Sequence, residues 1–60
     1  MKKLVDYIDI IFYESHSKEE WIKIDEKVNK LYNESEPDEK REFDESGAGE
    51  MLGMLIEYSD

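Results

Sequence analysis

Apolar residues recur at helical spacing in two stretches of this chain and crowd together in a third, while the stretch before the third carries almost none. From about Lys3 to Glu14, Leu4, Ile8, Ile11 and Phe12 fall on one stripe, widened by Val5, with Asp6, Asp9 and Tyr13 near the opposite face. A period of this kind predicts an amphipathic helix. Val, Ile, Tyr and Phe also favour strands. Strict alternation breaks at Leu4-Val5, Tyr7-Ile8 and Ile10-Ile11, so helix is the better reading.

Ser15-His16-Ser17 punctuates the pattern. Ser17 followed by Glu20 fits a capping box, in which each side chain satisfies a backbone amide that the helix leaves open. A second helix is expected from about Lys18 to Asn33, with Trp21, Ile24, Val28, Leu31 and Tyr32 on one face. Glu19–Lys23 and Glu26–Lys30 are acid-first pairs four residues apart, each able to add a few tenths of a kcal/mol. Asn33-Glu34-Ser35-Glu36-Pro37 ends that helix, and Pro37 suits the first turn of a new one. A helix from about Pro37 to Asp44 has one large apolar residue, Phe43, and is expected to be short and mostly solvated.

Ser46-Gly47-Ala48-Gly49 reads as a breaker or hinge, with Ser46 as a cap for a last helix from about Gly47 to Tyr58. Met51, Leu52, Met54, Leu55, Ile56 and Tyr58 make that helix apolar around much of its circumference. Such a helix is either sandwiched centrally or shared with another chain. Gly49 and Gly53, four apart, would let another backbone approach closely. The fold class expected is all-α: a single domain over 1–60, a small bundle of three main helices with a short acidic fourth helix or connector. Its expected core is Leu4, Ile8, Ile11, Phe12, Trp21, Ile24, Val28, Leu31, Leu52 and Leu55.

Charge changes this picture most. Seventeen acids face eight bases, a net of −9, and residues 41–60 hold six acids and one base. Glu34, Glu36, Asp38, Glu39, Glu42, Asp44 and Glu45 place seven carboxylates in twelve positions. Folding does not require this, because like charges weaken a compact state; such an imbalance speaks of solubility or partners. Asp38, Glu42 and Glu45 stand at i, i+4 and i+7 and form one row on a helix. The rise between successive members is about 4.5–6 Å, comparable to phosphate spacing along a nucleic-acid strand. The row could therefore occupy a basic cleft, driven by counterion release, or remain a solvated linker that only confers solubility. Direct binding to nucleic acid or to an anionic membrane is disfavoured. Tyr32, Trp21 and Phe43 are candidate interface anchors beside the row, with core packing the better reading for Trp21.

Composition excludes several kinds of chemistry. With no Cys, disulfides, thiolate zinc sites and iron–sulfur clusters are ruled out, and a single His rules out a multi-His metal centre. His16 is read as an exposed interhelical residue. The glycine cluster Gly47-Ala48-Gly49-Glu50-Met51-Leu52-Gly53 has the wrong spacing and context for a dinucleotide fingerprint. Asp44–Glu50 lacks the register of an EF-hand loop. Sixty residues hardly enclose a catalytic cleft. No catalytic, cofactor-binding or metal-binding residue is assigned, and no cofactor is expected. No segment approaches a membrane span. Asp6 and Asp9 interrupt the apolar N-terminal run, against a signal peptide, and the cytoplasm is the expected location.

In size, charge and Lys/Glu/Ile-rich composition the chain resembles the small, acidic, cysteine-free accessory proteins of bacteriophages and mobile elements. Some of those block restriction enzymes, CRISPR effectors, glycosylases or polymerases; the likeness transfers no residue. The leading expectation is a non-catalytic binding module. Its acidic surface would engage a basic protein surface, in the sharpest version that of a host nucleic-acid-processing or defence enzyme. The alternatives are a homodimer through the last helix, carried by Met51, Met54, Leu55 and Ile56, and an antitoxin-like neutraliser of a basic toxin.

Overall fold

A computed structural model describes residues 2–58. The chain forms α1 (Leu4–Tyr13), α2 (Lys18–Glu34), α3 (Pro37–Ser46) and α4 (Ala48–Glu57), with no strand among the described residues. The all-helical expectation holds. The acidic segment, however, forms a helix of 10 residues, the same length as α1 and α4. It is no connector, because Phe43 is only 4% exposed and ties α3 to the core.

Helix boundaries follow local chemistry. At the start of α2 the Ser17 hydroxyl accepts from the Glu20 amide at 3.3 Å, and the Glu20 carboxylate accepts from the Ser17 amide at 3.2 Å. The expected capping box is therefore present. At the start of α1, the Asp6 carboxylate accepts the Lys3 amide at 2.8 Å. Pro37 begins α3, where a missing amide costs nothing. A single residue outside the helices, Gly47, joins α3 to α4 in the left-handed conformation, with φ of 78°. The Ser46 hydroxyl serves both ends of this joint, donating to the Phe43 carbonyl at 2.6 Å and accepting from the Ala48 amide at 3.1 Å.

α1 and α4 each pack against all three other helices, whereas α2 and α3 lie on the diagonal of the bundle. The apolar helices are thus central and the polar ones peripheral, as burial requires. The buried core is Leu4, Tyr7, Ile10, Ile11, Trp21, Val28, Phe43, Ala48 and Leu52. This corrects the expected stripe of α1. Tyr7 and Ile10 are buried, Ile8 is half-buried and Phe12 is 41% exposed. At about 100° per residue, the buried face is turned by roughly 70° from the expected one. Ile24, Leu31 and Leu55, also expected in the core, pack at its margin. Gly49 admits the Phe43 ring, whose Cε1 lies 3.3 Å from where a Cβ would stand, while nothing lies within 4 Å of that position at Gly53. The close approach expected at this glycine pair is therefore made by a ring at Gly49 alone.

Candidate functional site

α3 turns Phe43 inward and leaves Asp38, Glu42 and Glu45 exposed along one row. Among the described residues, none of these three carboxylates lies within ion-pair distance of a cation. The other expected acidic residues are placed differently. Glu36 is exposed at the N-cap of α3, and Glu39 is half-buried. Asp44 accepts a hydrogen bond from the Tyr32 hydroxyl at 2.8 Å. That bond, with smaller contributions from desolvation and the carboxylate charge, raises the Tyr32 phenol above its ordinary value. Lys40 sits 5.5 Å from the centroid of the same ring, and Phe43 meets it edge-on at 6.1 Å. Tyr32 thereby braces α3 against the end of α2. Trp21 and Phe43 are core residues at 2% and 4% exposure, so neither is available as an interface anchor.

Glu34 stands apart from the row and lines a groove between α1 and α2. This groove comprises two adjoining depressions of about 330 and 500 Å³ that share Lys2, Tyr7 and Lys27. Lys23 belongs to the first, Lys30 and Leu31 to the second. Lys2 Nζ lies 5.7 Å from the Tyr7 ring centroid. The sequence reading missed this basic surface because it assigned Lys23 and Lys30 to pairs with Glu19 and Glu26. Neither pair closes to ion-pair distance. The signal was present in the i, i+4, i+7 spacing of Lys23, Lys27 and Lys30.

The far end of the groove is built around His16, whose side chain is 22% exposed and therefore more covered than expected. Its Nε2 is 2.9 Å from Glu14 and its Nδ1 3.5 Å from Glu20. The imidazole meets Trp21 edge-on, with centroids 4.9 Å apart. The Glu20 carboxyl lies below its ordinary value, chiefly through the Ser17 amide, then the Ser17 hydroxyl and His16. No group of three His, Cys, Asp or Glu among the described residues is arranged to hold a metal ion.

On α4, Met51, Leu55 and Ile56 pack against the chain's own core, while Met54 is 50% exposed and Tyr58 75%. No described helix is long and apolar enough to cross a membrane. Comparison with protein-family models, with curated proteins and with solved structures finds no match for the chain.

Proposed function

We propose that this chain is a non-catalytic, cytoplasmic protein-binding module that presents the carboxylate row of α3 to a basic protein surface. In its sharpest form it is an inhibitor of a nucleic-acid-processing or defence enzyme, of the kind carried by phages and mobile elements. The observation that carries this reading is the contrast on α3. Phe43 is buried at 4% exposure, whereas Asp38, Glu42 and Glu45 are exposed and unpaired among the described residues. A docked helix holds the three carboxylates at fixed spacing. Less conformational entropy is then lost on binding than from a mobile acidic tail. A cleft that normally takes phosphates offers the complementary charge, and release of its counterions favours the complex.

The test is affinity capture from host extract at low and high salt, with the wild type and an Asp38→Asn, Glu42→Gln, Glu45→Gln variant. A partner held by the wild type at low salt and lost by the variant supports the reading. The same partners with the same salt dependence would remove the carboxylates from the mechanism.

A second reading, self-association through α4, draws on the exposure of Met54 and of Tyr58, the residue that caps the end of that helix. Sedimentation of Met54→Glu decides it: a dimer that persists in the variant is not held there. An antitoxin-like neutraliser would use the same α3 row, with a toxin as the basic partner.

A further inference from the structure

We infer that the basic groove between α1 and α2 is a receptor for the α3 carboxylate row of a second copy of this chain. The inference rests on the reading of α3 as the binding surface and names one partner for it.

The chain carries two charged rows of the same geometry and opposite sign. Lys23, Lys27 and Lys30 follow the spacing i, i+4, i+7 on α2, and Asp38, Glu42 and Glu45 follow it on α3. Laid parallel, the rows match step for step, about 6 Å and then about 4.5 Å along the axis. All six side chains are exposed, and none has an ion-pair partner among the described residues. Three of the chain's eight basic residues, Lys23, Lys27 and Lys30, thus line one groove. Lys2, just ahead of α1, adds a fourth lysine over the Tyr7 ring, while Glu14 and Glu20 at one end and Glu34 at the other also line the groove.

The rows do not satisfy each other within one molecule: α2 and α3 meet at Tyr32 and Asp44, and no ammonium of Lys23, Lys27 or Lys30 lies within ion-pair distance of Asp38, Glu42 or Glu45. Satisfaction between molecules is heterologous: the row of one copy enters the groove of the next. Such contacts form rings or open chains rather than two-fold dimers. Two molecules of charge −9 repel at long range. At about 0.1 M salt the screening length is about 10 Å, shorter than the bundle's 34 × 21 × 16 Å extents. The repulsion between net charges is then damped, while side chains in direct contact still attract. No large apolar residue of α3 is left exposed to anchor the contact, so the association is weak and salt-sensitive.

Sedimentation of the full chain tests this at about 0.1 M and about 1 M salt. The expected result is an average mass that rises with concentration, without a plateau at dimer, in the lower salt, and monomer in the higher. Two reversals, Lys23→Glu/Lys27→Glu/Lys30→Glu and Asp38→Lys/Glu42→Lys/Glu45→Lys, should each abolish association alone. Mixing them should restore it, since each supplies what the other lacks. If a reversal fails to fold by circular dichroism, Lys27→Gln/Lys30→Gln serves in its place and should shift association to higher concentration. Monomer at every concentration, association that survives groove reversal, or a mixture that stays monomeric overturns the inference. So does a groove that binds a single-stranded oligonucleotide while the chain stays monomeric. A monomeric chain that still captures a basic host protein through α3 sinks this inference alone. Loss of both removes the proposed function as well.

Discussion

The Tyr32 hydroxyl donates to the Asp44 carboxylate at 2.8 Å and so ties the end of α2 to α3 across the diagonal of the bundle. The bond exists only while the phenol holds its proton, which is why the Tyr32 pKa is raised. A raised value in the folded state means stability that is complete below the ordinary value of 10.0 and is lost as pH climbs through the folded one. Tyr32→Phe should therefore melt below the wild type at neutral pH, with the gap closing in strong alkali. Thermal melts of both proteins across that range check this; a constant gap would mean the hydroxyl does not contribute.

Phe43 decides whether α3 is a docked helix or a decorated loop. Removing the ring should cost about 3–5 kcal/mol. A domain of this length has roughly 3–9 kcal/mol in total. Phe43→Ala is thus expected to lose at least about a third of that stability, with a weaker far-UV helical signal and a melt at lower temperature. A variant that keeps its helical signal and cooperative melt would show that α3 adds little to the fold.

The three glycines should respond differently to alanine. Gly47 holds φ of 78°, and a side chain there is strained by about 1–2 kcal/mol. Gly53 has open space around it, and alanine should gain up to about 1 kcal/mol of helix propensity. At Gly49 the same gain is opposed by the Phe43 ring 3.3 Å away. Urea denaturation should rank the variants Gly53→Ala, then Gly49→Ala, then Gly47→Ala from most to least stable.

The α2 capping box makes a prediction in acid. Ser17→Ala should cost about 1 kcal/mol near neutrality. Glu20 is depressed below 4.5 chiefly by its bond from the Ser17 amide. Its contribution is present above 4.5 and fades as pH falls through the depressed value. Glu20→Gln should accordingly approach the wild type in stability as the solution is acidified, read by denaturant melts at several pH values.

Within the α3 row, binding and stability should separate. Asp38 lies in the first turn, where a negative charge favours the helix, and Glu45 in the last, where it opposes it. Asp38→Asn should lose and Glu45→Gln should gain about 0.3–1 kcal/mol at low salt. The combined neutral variant stays near wild-type stability, so a change in its partners reports on charge and not on unfolding.

Much of this fold is readable residue by residue. The Ser17–Glu20 box, the Pro37 start and the Gly47 joint each depend on groups within about four positions of one another. Such short-range chemistry is visible in a linear chain. The exposed row of Asp38, Glu42 and Glu45 is readable for the same reason, since helical periodicity alone puts them together once α3 forms. The helical class followed from periodicity, and the acidic excess from counting.

Facing was not readable. α1 is apolar over more than half its circumference, so its own sequence permits several buried faces. Contact with three neighbours selected the one bearing Tyr7 and Ile10 over the one bearing Ile8 and Phe12. One ring at Phe43 could not announce a docked helix until Gly49 was seen to make room for it. The basic groove needed both: Lys2, ahead of α1, and Lys27 of α2 line one depression only because the packing of the two helices brings the start of one alongside the other. Periodicity sets which residues share a face, and only the competition among faces for a single small core sets which of them meets water.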